Sequence, residues 1–244
     1  MSLPPIFYHY FSRPLPYLRA LQLQESVHAS QLRNRRSSSP SHRDLLLLLQ
    51  HTPRLTALGA DFVLAKRGGE LTYHGPGQVV GYPLLDLGRA GTGGGGAALS
   101  IRDYICRLQR VLSLHLREAH GLAPAPSEHT GVFLAAREKV ASVGVQVRHR
   151  LTTHGFAMNV THEPRAWFDE IVACGLADVK AASIESATGK EVQVEAEVPG
   201  IVARFGRVME RRMVPLLEAG SDELAELVHT SERESTADER TTTE

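Results

Sequence analysis

The stretch of residues 67–87, RGGELTYHGPGQVVGYPLLDL, constrains this chain most, because it joins a stiff loop to a strand-length apolar run. Paired glycines open the loop, and a Gly-Pro-Gly turn precedes Gln78. Glycine permits positive φ and close approach of a ligand, whereas proline fixes φ, so the loop presents its polar side chains in a defined arrangement. Residues 79–87 predict a buried strand. Polar groups at the mouth of such a strand favour a binding site, with a plain tight hairpin as the alternative.

The composition permits a sizeable core and excludes several broad classes of protein. The 244 residues carry 27 basic and 27 acidic side chains, so the net charge gives no support to nucleic-acid binding. The longest uninterrupted apolar run, residues 45–49, has the length of a strand and not of a membrane span. Cys106 and Cys174 form neither a CxxC pair nor a disulfide framework. We therefore expect a soluble, intracellular protein without nucleic-acid or membrane partners.

The two ends of the chain differ in charge. Residues 1–43 contain six arginines and one acidic residue, a bias typical of a mitochondrial transit segment, although leucines at helical spacing indicate that part of this region is folded. Residues 221–244 are acidic, rich in hydroxyl groups and poor in large apolar side chains. We expect a single domain over residues 1–220, followed by a disordered tail over residues 221–244.

Strand and helix patterns do not alternate strictly, which predicts an α+β fold and not a doubly wound sheet. Strands are expected at residues 6–10, 45–50, 62–66, 79–87, 131–134, 139–147 and 151–160. Helices are expected at residues 16–32, after the N-cap Ser100 as far as Gly121, and at residues 167–172. Residues 187–198 alternate in polarity and predict a short hairpin, after which Pro199 begins a last helix.

Cys174 and Lys139 are candidates for a nucleophile and its activator. A thiol accepts an acyl group only as the thiolate, and a nearby ammonium favours that form. A buried inert cysteine and a solvated lysine are the alternatives, since sequence spacing alone cannot bring the two together. His74 and His154, each next to a glycine, are candidates for orienting a substrate, with a structural role as the alternative. No histidine or cysteine spacing matches a metal site, so no metal is expected.

Three blocks of the sequence together resemble the lipoyl(octanoyl) transferase family. They are RGGELTYHGPGQVVGYPLLDL, then GVFL with EKVASVGVQVRHRLTTHGFAMNV, and then FDEIVACGL, and the resemblance extends over residues 7–213. The resemblance implies a biotin/lipoate protein ligase-like fold, in which a mixed β-sheet is flanked by α-helices. It also implies an octanoyltransferase domain that moves an octanoyl group from octanoyl-acyl carrier protein to a lysine of a lipoyl domain.

The resemblance also implies roles for individual residues. Cys174 is expected to form an acyl-thioester, and Lys139 to favour its thiolate form. The residues expected to line the substrate site are Arg67, Gly68, Gly69, Glu70, Leu71, Thr72, Tyr73, His74, Ser142, Val143, Gly144, Gly155, Phe156 and Ala157. Transfer from a thioester to an amine runs downhill, so no nucleotide or other cofactor is expected. The glycine-rich residues 88–98 agree with this, because they lack the Gly-Lys-Ser/Thr ending of a phosphate loop.

The expected acceptors are the lipoyl domains of 2-oxoacid dehydrogenase complexes and the H protein of glycine cleavage. We expect a monomer in the mitochondrion, with the cytoplasm as the alternative location. Two rival functions remain, an ATP-dependent lipoate or biotin ligase and a non-catalytic protein that binds lipoyl domains or acyl carrier protein. The sequence departs from the family in lacking a Tyr/Phe-Thr-x-Gly-Arg segment near Pro53, and in having Ala173 for proline and Ala182 for threonine.

Overall fold

The computed structural model describes residues 3–36, 43–52, 72–89, 98–169, 178–220 and 222–241. The strands are β1 (Ile6–Tyr10), β2 (Asp44–Leu49), β3 (Gln78–Leu84), β4 (Val132–Ala135), β5 (Glu138–Arg148), β6 (Leu151–Asn159), β7 (Lys180–Ala181) and β8 (Met213–Pro215). The α-helices are α1 (Tyr17–Arg36), α2 (Ile101–His120), α3 (Glu163–Asp169), α4 (Ile184–Thr188), α5 (Val194–Met209) and α6 (Glu223–Thr241), and a 3-10 helix spans Leu216–Ala219.

The strands form one mixed sheet in the order β4-β5-β6-β3-β2-β1-β8, with β7 paired to β5. The pairs β1–β2, β1–β8 and β5–β7 are parallel, and the remaining pairs are antiparallel. Helices cover both faces of the sheet. The α+β architecture expected from the sequence is therefore confirmed.

The apolar run of β2 explains where the core lies. Leu46 and Leu48 belong to a hydrophobic cluster with α2 and α5 on one face of the sheet. Leu45, Leu47 and Leu49 belong to a second cluster with α1 and α6 on the other face. Because both faces are covered, the strand is apolar at successive positions and does not alternate in polarity.

Helix α2 follows the sequence prediction closely. The Ser100 hydroxyl accepts a hydrogen bond from the Asp103 amide, which satisfies one of the free N–H groups at the start of the helix. Gly121 ends the helix in the left-handed conformation, with φ of 67°, and donates its N–H to carbonyls of the last turn.

The hairpin predicted at residues 187–198 was wrong. Gly189 ends α4, and α5 begins at Val194, so Pro199 lies inside a helix and does not start one. Val194, Val198 and Ile201 fall at helical spacing and are buried. The segment therefore follows the helical period of its buried residues. The alternation of valine with polar residues, which predicted a strand, did not determine its structure.

The disordered tail predicted for residues 221–244 was also wrong for the described residues. Helix α6 packs against α1 and buries Leu224 and Val228 in the same cluster as β2. Polar contacts also join α6 to the domain, since the Glu232 carboxylate lies 2.8 Å from the His9 ring and Ser30 donates to Glu223. The low content of large apolar groups misled the prediction, because only one face of α6 is buried.

Two sequence predictions, the strand at residues 62–66 and most of the glycine-rich connection, lie outside the described residues. The described helices include none with the length and apolar character needed to cross a bilayer.

Candidate active site

Gln78, the first residue of β3, connects the Gly-Pro-Gly loop to the neighbouring strand. Its side-chain oxygen accepts from the Gly75 amide and lies 3.4 Å from Nδ1 of His74. Its Nε2 donates to Oδ1 of Asn159 at 2.8 Å, at the end of β6. Asn159 in turn donates to the Ala182 carbonyl at 2.8 Å. A continuous series of hydrogen bonds therefore runs from the loop through two strands to the turn before α4.

Lys139 lies at the far end of the same series. The Ala182 amide donates to the Lys139 carbonyl at 2.9 Å, and β7 pairs with β5 so that Ala181 is opposite Lys139. The three bonds beyond Gln78 join segments that are distant in the sequence but adjacent in the fold. The backbone position of Lys139 is thus fixed relative to the loop that carries His74.

The Lys139 side chain is half-buried against Phe133 and Gly131. Its Nζ lies over the Phe133 ring, 5.5 Å from the centroid, within the range of a cation–π contact. Gly131 has φ of 131°, and a Cβ at this position would lie 2.5 Å from Cε of Lys139. Gln109 of α2 donates to the Gly131 carbonyl at 2.8 Å. Only glycine fits here, and α2 holds that glycine in place beneath the lysine.

A pocket lies between the loop, β3, β5 and β6, and Lys139 is not one of the described residues that line it. It is lined by Thr72, His74, Tyr82, Ser142, Val143, Gly144, His154, Gly155, Phe156 and Ala157. Eight of these residues were predicted from the sequence to line the substrate site, and His154 was predicted to orient a substrate. The structure brings them together because Ser142, Val143 and Gly144 are paired with Ala157, Phe156 and Gly155 across β5 and β6. Their roles in binding stay predictions.

The wall of the pocket at β6 has an unusual backbone. His154 is 3% exposed and has φ of 59°, in the left-handed region that is uncommon for residues other than glycine. Its amide donates to Oε1 of Gln24 in α1 at 2.7 Å. At the next position a Cβ would lie 2.2 Å from the Gly81 carbonyl oxygen, so Gly155 lets β6 approach β3 closely. Helix α1 therefore supports the backbone on which His154 is presented.

His51 and Tyr82 form a second polar connection behind the pocket. Nδ1 of His51 lies 2.8 Å from the Leu15 carbonyl and Nε2 lies 2.7 Å from the Tyr82 hydroxyl. Burial lowers the pKa of His51 to about 4, so its ring is neutral near pH 7. Since a carbonyl only accepts, Nδ1 carries the proton, and the Tyr82 hydroxyl donates to Nε2. This network fixes the orientation of the Tyr82 ring that lines the pocket.

The sequence analysis missed His51 and Tyr82 as site residues. The available signal was the position of His51, a polar residue two places after the uninterrupted leucine run of β2. Polar side chains at the end of a buried strand are frequent in binding sites.

Tyr73 is not among the described residues that line the pocket, and its role in the substrate site stays a prediction. Its ring stacks on Trp167 of α3, with centroids 5.3 Å apart and an interplanar angle of 8°. Burial raises the pKa of Tyr73 to about 12. The contact joins the first sequence block to the helix that precedes Cys174.

Cys174 and the residues Arg67, Gly68, Gly69, Glu70 and Leu71 lie outside the described residues, as do Ala173 and the position of the missing segment near Pro53. Ala182 is described, and it contributes only its backbone amide and carbonyl to the site. Alanine in place of the family's threonine therefore preserves both hydrogen bonds.

The comparisons with known proteins agree with this arrangement. The model of the lipoyl protein ligase A/B catalytic domain matches residues 42–206. An octanoyltransferase of Caldicellulosiruptor saccharolyticus is 32% identical over 238 residues, covering 89% of this chain and 95% of the relative. The chain belongs to the octanoyltransferase family. Another member, the mitochondrial octanoyl-acyl-carrier-protein:protein N-octanoyltransferase of Danio rerio, is 31% identical over 208 residues, covering 78% of this chain and 87% of the relative.

Solved structures support the fold. A putative lipoate protein ligase from T. acidophilum with bound lipoic acid superposes with a TM-score of 0.65 at 14% identity, covering 96% of this chain and 94% of the neighbour. At this identity the likeness shows the fold alone. The biotin/lipoate protein ligase-like fold expected from the sequence is confirmed.

Proposed function

We propose that this octanoyltransferase acts through a thioester on Cys174, carrying the octanoyl group from octanoyl-acyl carrier protein to a lysine of a lipoyl domain. Family membership supports octanoyl transfer for protein lipoylation. The structural observation that supports the site is the hydrogen-bond series from His74 to Lys139. It holds the loop, the pocket and the candidate activating lysine in one arrangement.

The proposed reaction consists of two acyl transfers. The Cys174 thiolate attacks the donor thioester carbonyl, a new C–S bond forms, and the bond to the carrier-protein sulfur breaks, so that the carrier leaves as a thiolate. The ε-amine of the acceptor lysine then attacks the enzyme thioester, an amide forms, and the Cys174 thiol is released. One proton leaves the amine in the second step. No nucleotide is consumed, since both steps transfer an already activated acyl group.

Lys139 is proposed to serve both steps. Its ammonium stabilises the Cys174 thiolate before the first attack, and the same group exchanges the proton of the incoming amine in the second. The chain that carries Cys174 returns to the sheet at β7, where Ala181 pairs with Lys139. Gly131 and Phe133 restrict the lysine side chain to one side of β5.

The pocket is proposed to receive the acyl chain. Val143, Phe156 and Ala157 supply apolar surface, and the glycine pair of β5 and β6 leaves room beside them. The pocket volume between the described residues is about 30 Å³.

We further propose a mitochondrial location and lipoyl-domain acceptors. The relatives from Danio rerio and Homo sapiens are named as mitochondrial enzymes. The arginine-rich start of the chain supports the same location, although β1 and α1 are built into the fold. Imaging of the tagged full-length protein beside a mitochondrial marker tests the location, and a cytoplasmic signal would contradict it.

Intact-mass measurement after incubation with octanoyl-acyl carrier protein tests the mechanism. We expect one octanoyl adduct on the wild type, no adduct on Cys174→Ala and slower formation on Lys139→Ala. Cys106→Ser is the matched control, since it removes the exposed thiol of α2 and is expected to retain the adduct. Subsequent addition of a lipoyl domain should move the octanoyl mass to the acceptor.

Two outcomes distinguish the rival functions. Octanoylation or lipoylation of the acceptor from the free acid, only when ATP is present, would identify a ligase. Binding of acyl carrier protein or lipoyl domain by a folded wild type that never acquires an adduct would identify a non-catalytic binding protein.

A further inference from the structure

Three metal-ligating side chains converge between α2 and α5, on the face of the sheet that is packed by these helices. They are His115 and His120 near the end of α2 and Glu197 in the first turn of α5. His115 is 1% exposed and Glu197 is 5% exposed. None of the three lines the pocket described above.

The donor atoms of this cluster point at one another. Nε2 of His115 lies 2.5 Å from Oε2 of Glu197, and Nε2 of His120 lies 2.7 Å from the same oxygen. All three ligand atoms lie within 4.8 Å of one another. Ligands at about 2.0 Å from a tetrahedral zinc ion are roughly 3.3 Å apart, so shifts on the order of 1 Å would open the centre to an ion.

We propose that His115, His120 and Glu197 bind a divalent transition-metal ion, with Zn²⁺ the best match. Two imidazole nitrogens and one carboxylate are a frequent zinc ligand set that leaves a fourth position for water. The set suits zinc, copper or nickel better than magnesium or calcium, which prefer oxygen ligands.

The histidine tautomers are compatible with metal binding. Nδ1 of His115 is buried and has no hydrogen-bond partner among the described residues, so no contact at Nδ1 fixes the proton on Nε2. Moving the proton of a neutral imidazole from Nε2 to Nδ1 exposes the Nε2 lone pair without changing the charge of the ring. His120 has a side chain that is 14% exposed, which gives an ion and a water ligand a route to the cluster.

The surrounding charges do not oppose a cation strongly. Metal ligation requires both imidazoles to be neutral, so the bound ligand set would carry one negative charge, that of the Glu197 carboxylate. Arg204 lies beside Gly200, as His115 does, but it forms an ion pair with Glu118 at 3.2 Å. The ion would link the end of α2 to the start of α5, and would therefore act on the stability of this helix pair.

Sequence inspection did not identify this site. His115 and His120 are five residues apart, which matches no familiar motif, and Glu197 lies 77 residues beyond His120. Only the packing of α5 against α2 brings the third ligand to the histidines.

Metal titration of the full chain tests the proposal. The background is Cys106→Ser with Cys174→Ala, so that no thiol ligates the ion. Zn²⁺ is titrated in competition with a chromophoric chelator, and Co²⁺ is followed by its visible absorption. We expect one ion per chain, a preference over Mg²⁺, and a rise in Tm of about 5–10 °C at a hundredfold excess of free Zn²⁺ over Kd.

His120→Gln removes the most exposed ligand and is the variant least expected to disturb folding. We expect it to weaken Zn²⁺ binding about 100-fold and to abolish the Tm rise, and Glu197→Gln to have the same effect. His162→Gln is the matched control, because it alters an exposed histidine that lies 3.8 Å from Glu185. Retention of wild-type Zn²⁺ affinity by folded His120→Gln and Glu197→Gln would overturn the proposal, as would the absence of stoichiometric binding by the parent chain.

Discussion

Helices α1 and α2 have the same length and cover opposite faces of one sheet, but they bury different chemistry. Helix α2 buries five apolar or aromatic residues beside His115. Helix α1 buries three apolar residues, Ala20, Leu23 and Val27, together with four polar ones, Gln24, His28, Ser30 and Gln31. Apolar burial stabilises whatever packs against it, whereas a buried polar group must meet a particular partner.

The partners of the polar groups in α1 show what the difference means. Gln24 accepts from the His154 amide at the pocket, and Gln31 donates to the Leu84 carbonyl at the end of β3. Ser30 donates to Glu223 of α6. Helix α2 therefore contributes mainly to stability, and α1 mainly to the positions of the strands and loops that form the pocket.

The largest expected effect follows from deleting apolar surface of α2. Leu112→Ala removes a fully buried side chain and should lower the free energy of unfolding by about 2–5 kcal/mol, because the cavity collapses only in part. Urea denaturation measures this change. Ile101→Ala, on an exposed position of the same helix, should change it by less than about 0.5 kcal/mol. Equal effects at the two positions would contradict the conclusion that α2 stabilises the fold through its buried apolar side chains.

A second prediction concerns the pH dependence of stability, which we expect to involve His51 on the face of the sheet that α1 covers. His51 has a pKa of about 4 in the folded chain and an ordinary pKa near 6.5 when unfolded. The unfolded state therefore binds more protons between these values, and stability is full above about pH 6.5 and falls by about 3 kcal/mol as the pH decreases to about 4.

This loss of stability is measured by denaturation of the wild type and of His51→Gln at a series of pH values. The variant should lack this contribution and show a shallower decline over the same interval. His162→Gln, which replaces an exposed histidine, should decline as the wild type does. If the free energy of unfolding depended on pH in the same way in the wild type and in His51→Gln, protonation of His51 would not be the cause of the decline.

The contrast between the helices also shows what could be predicted from the sequence. The α2 boundaries follow from an apolar stripe, a serine cap and a final glycine, all of which are local signals. The buried polar face of α1 has no local signature, since Gln24 and Gln31 are paired with residues more than fifty positions away. Their burial became evident only when β3 and β6 were placed beside α1.

The candidate site likewise contains features that local sequence predicts and features that depend on contacts between distant residues. The segments that meet at the pocket were expected from their resemblance to a family, because each contains an unusual local run of glycine and polar residues. Tyr73 was expected in the substrate site for the same reason, and its stacking on Trp167 could not be predicted from the sequence. His51 and the cluster around Glu197 were missed, since both depend on contacts between distant elements.

The next prediction tests a place where α2 supports the candidate site. Gly131→Ala introduces a Cβ that would lie 2.5 Å from Cε of Lys139 and 2.6 Å from the Ala141 carbonyl oxygen, so both the lysine side chain and the backbone of β5 must shift. We expect octanoyl adduct formation to slow by about 10- to 100-fold, the loss typical of a displaced catalytic group. Gly121→Ala is the control, because it also has positive φ but its Cβ meets no atom within 4 Å. A similar loss of rate in both variants would indicate backbone strain and not displacement of Lys139.

The smallest expected effect comes from α1. Gln24→Leu leaves the buried His154 amide without an acceptor, which should lower stability by about 1–3 kcal/mol. Because His154 is held in a left-handed conformation at the pocket, its release should also slow adduct formation, by about tenfold. Gln22→Leu alters an exposed position of the same helix and should change neither quantity appreciably. If Gln24→Leu reduced stability while leaving the rate of acylation intact, then α1 would differ from α2 in composition alone, and the polar groups it buries would serve the fold and not the pocket.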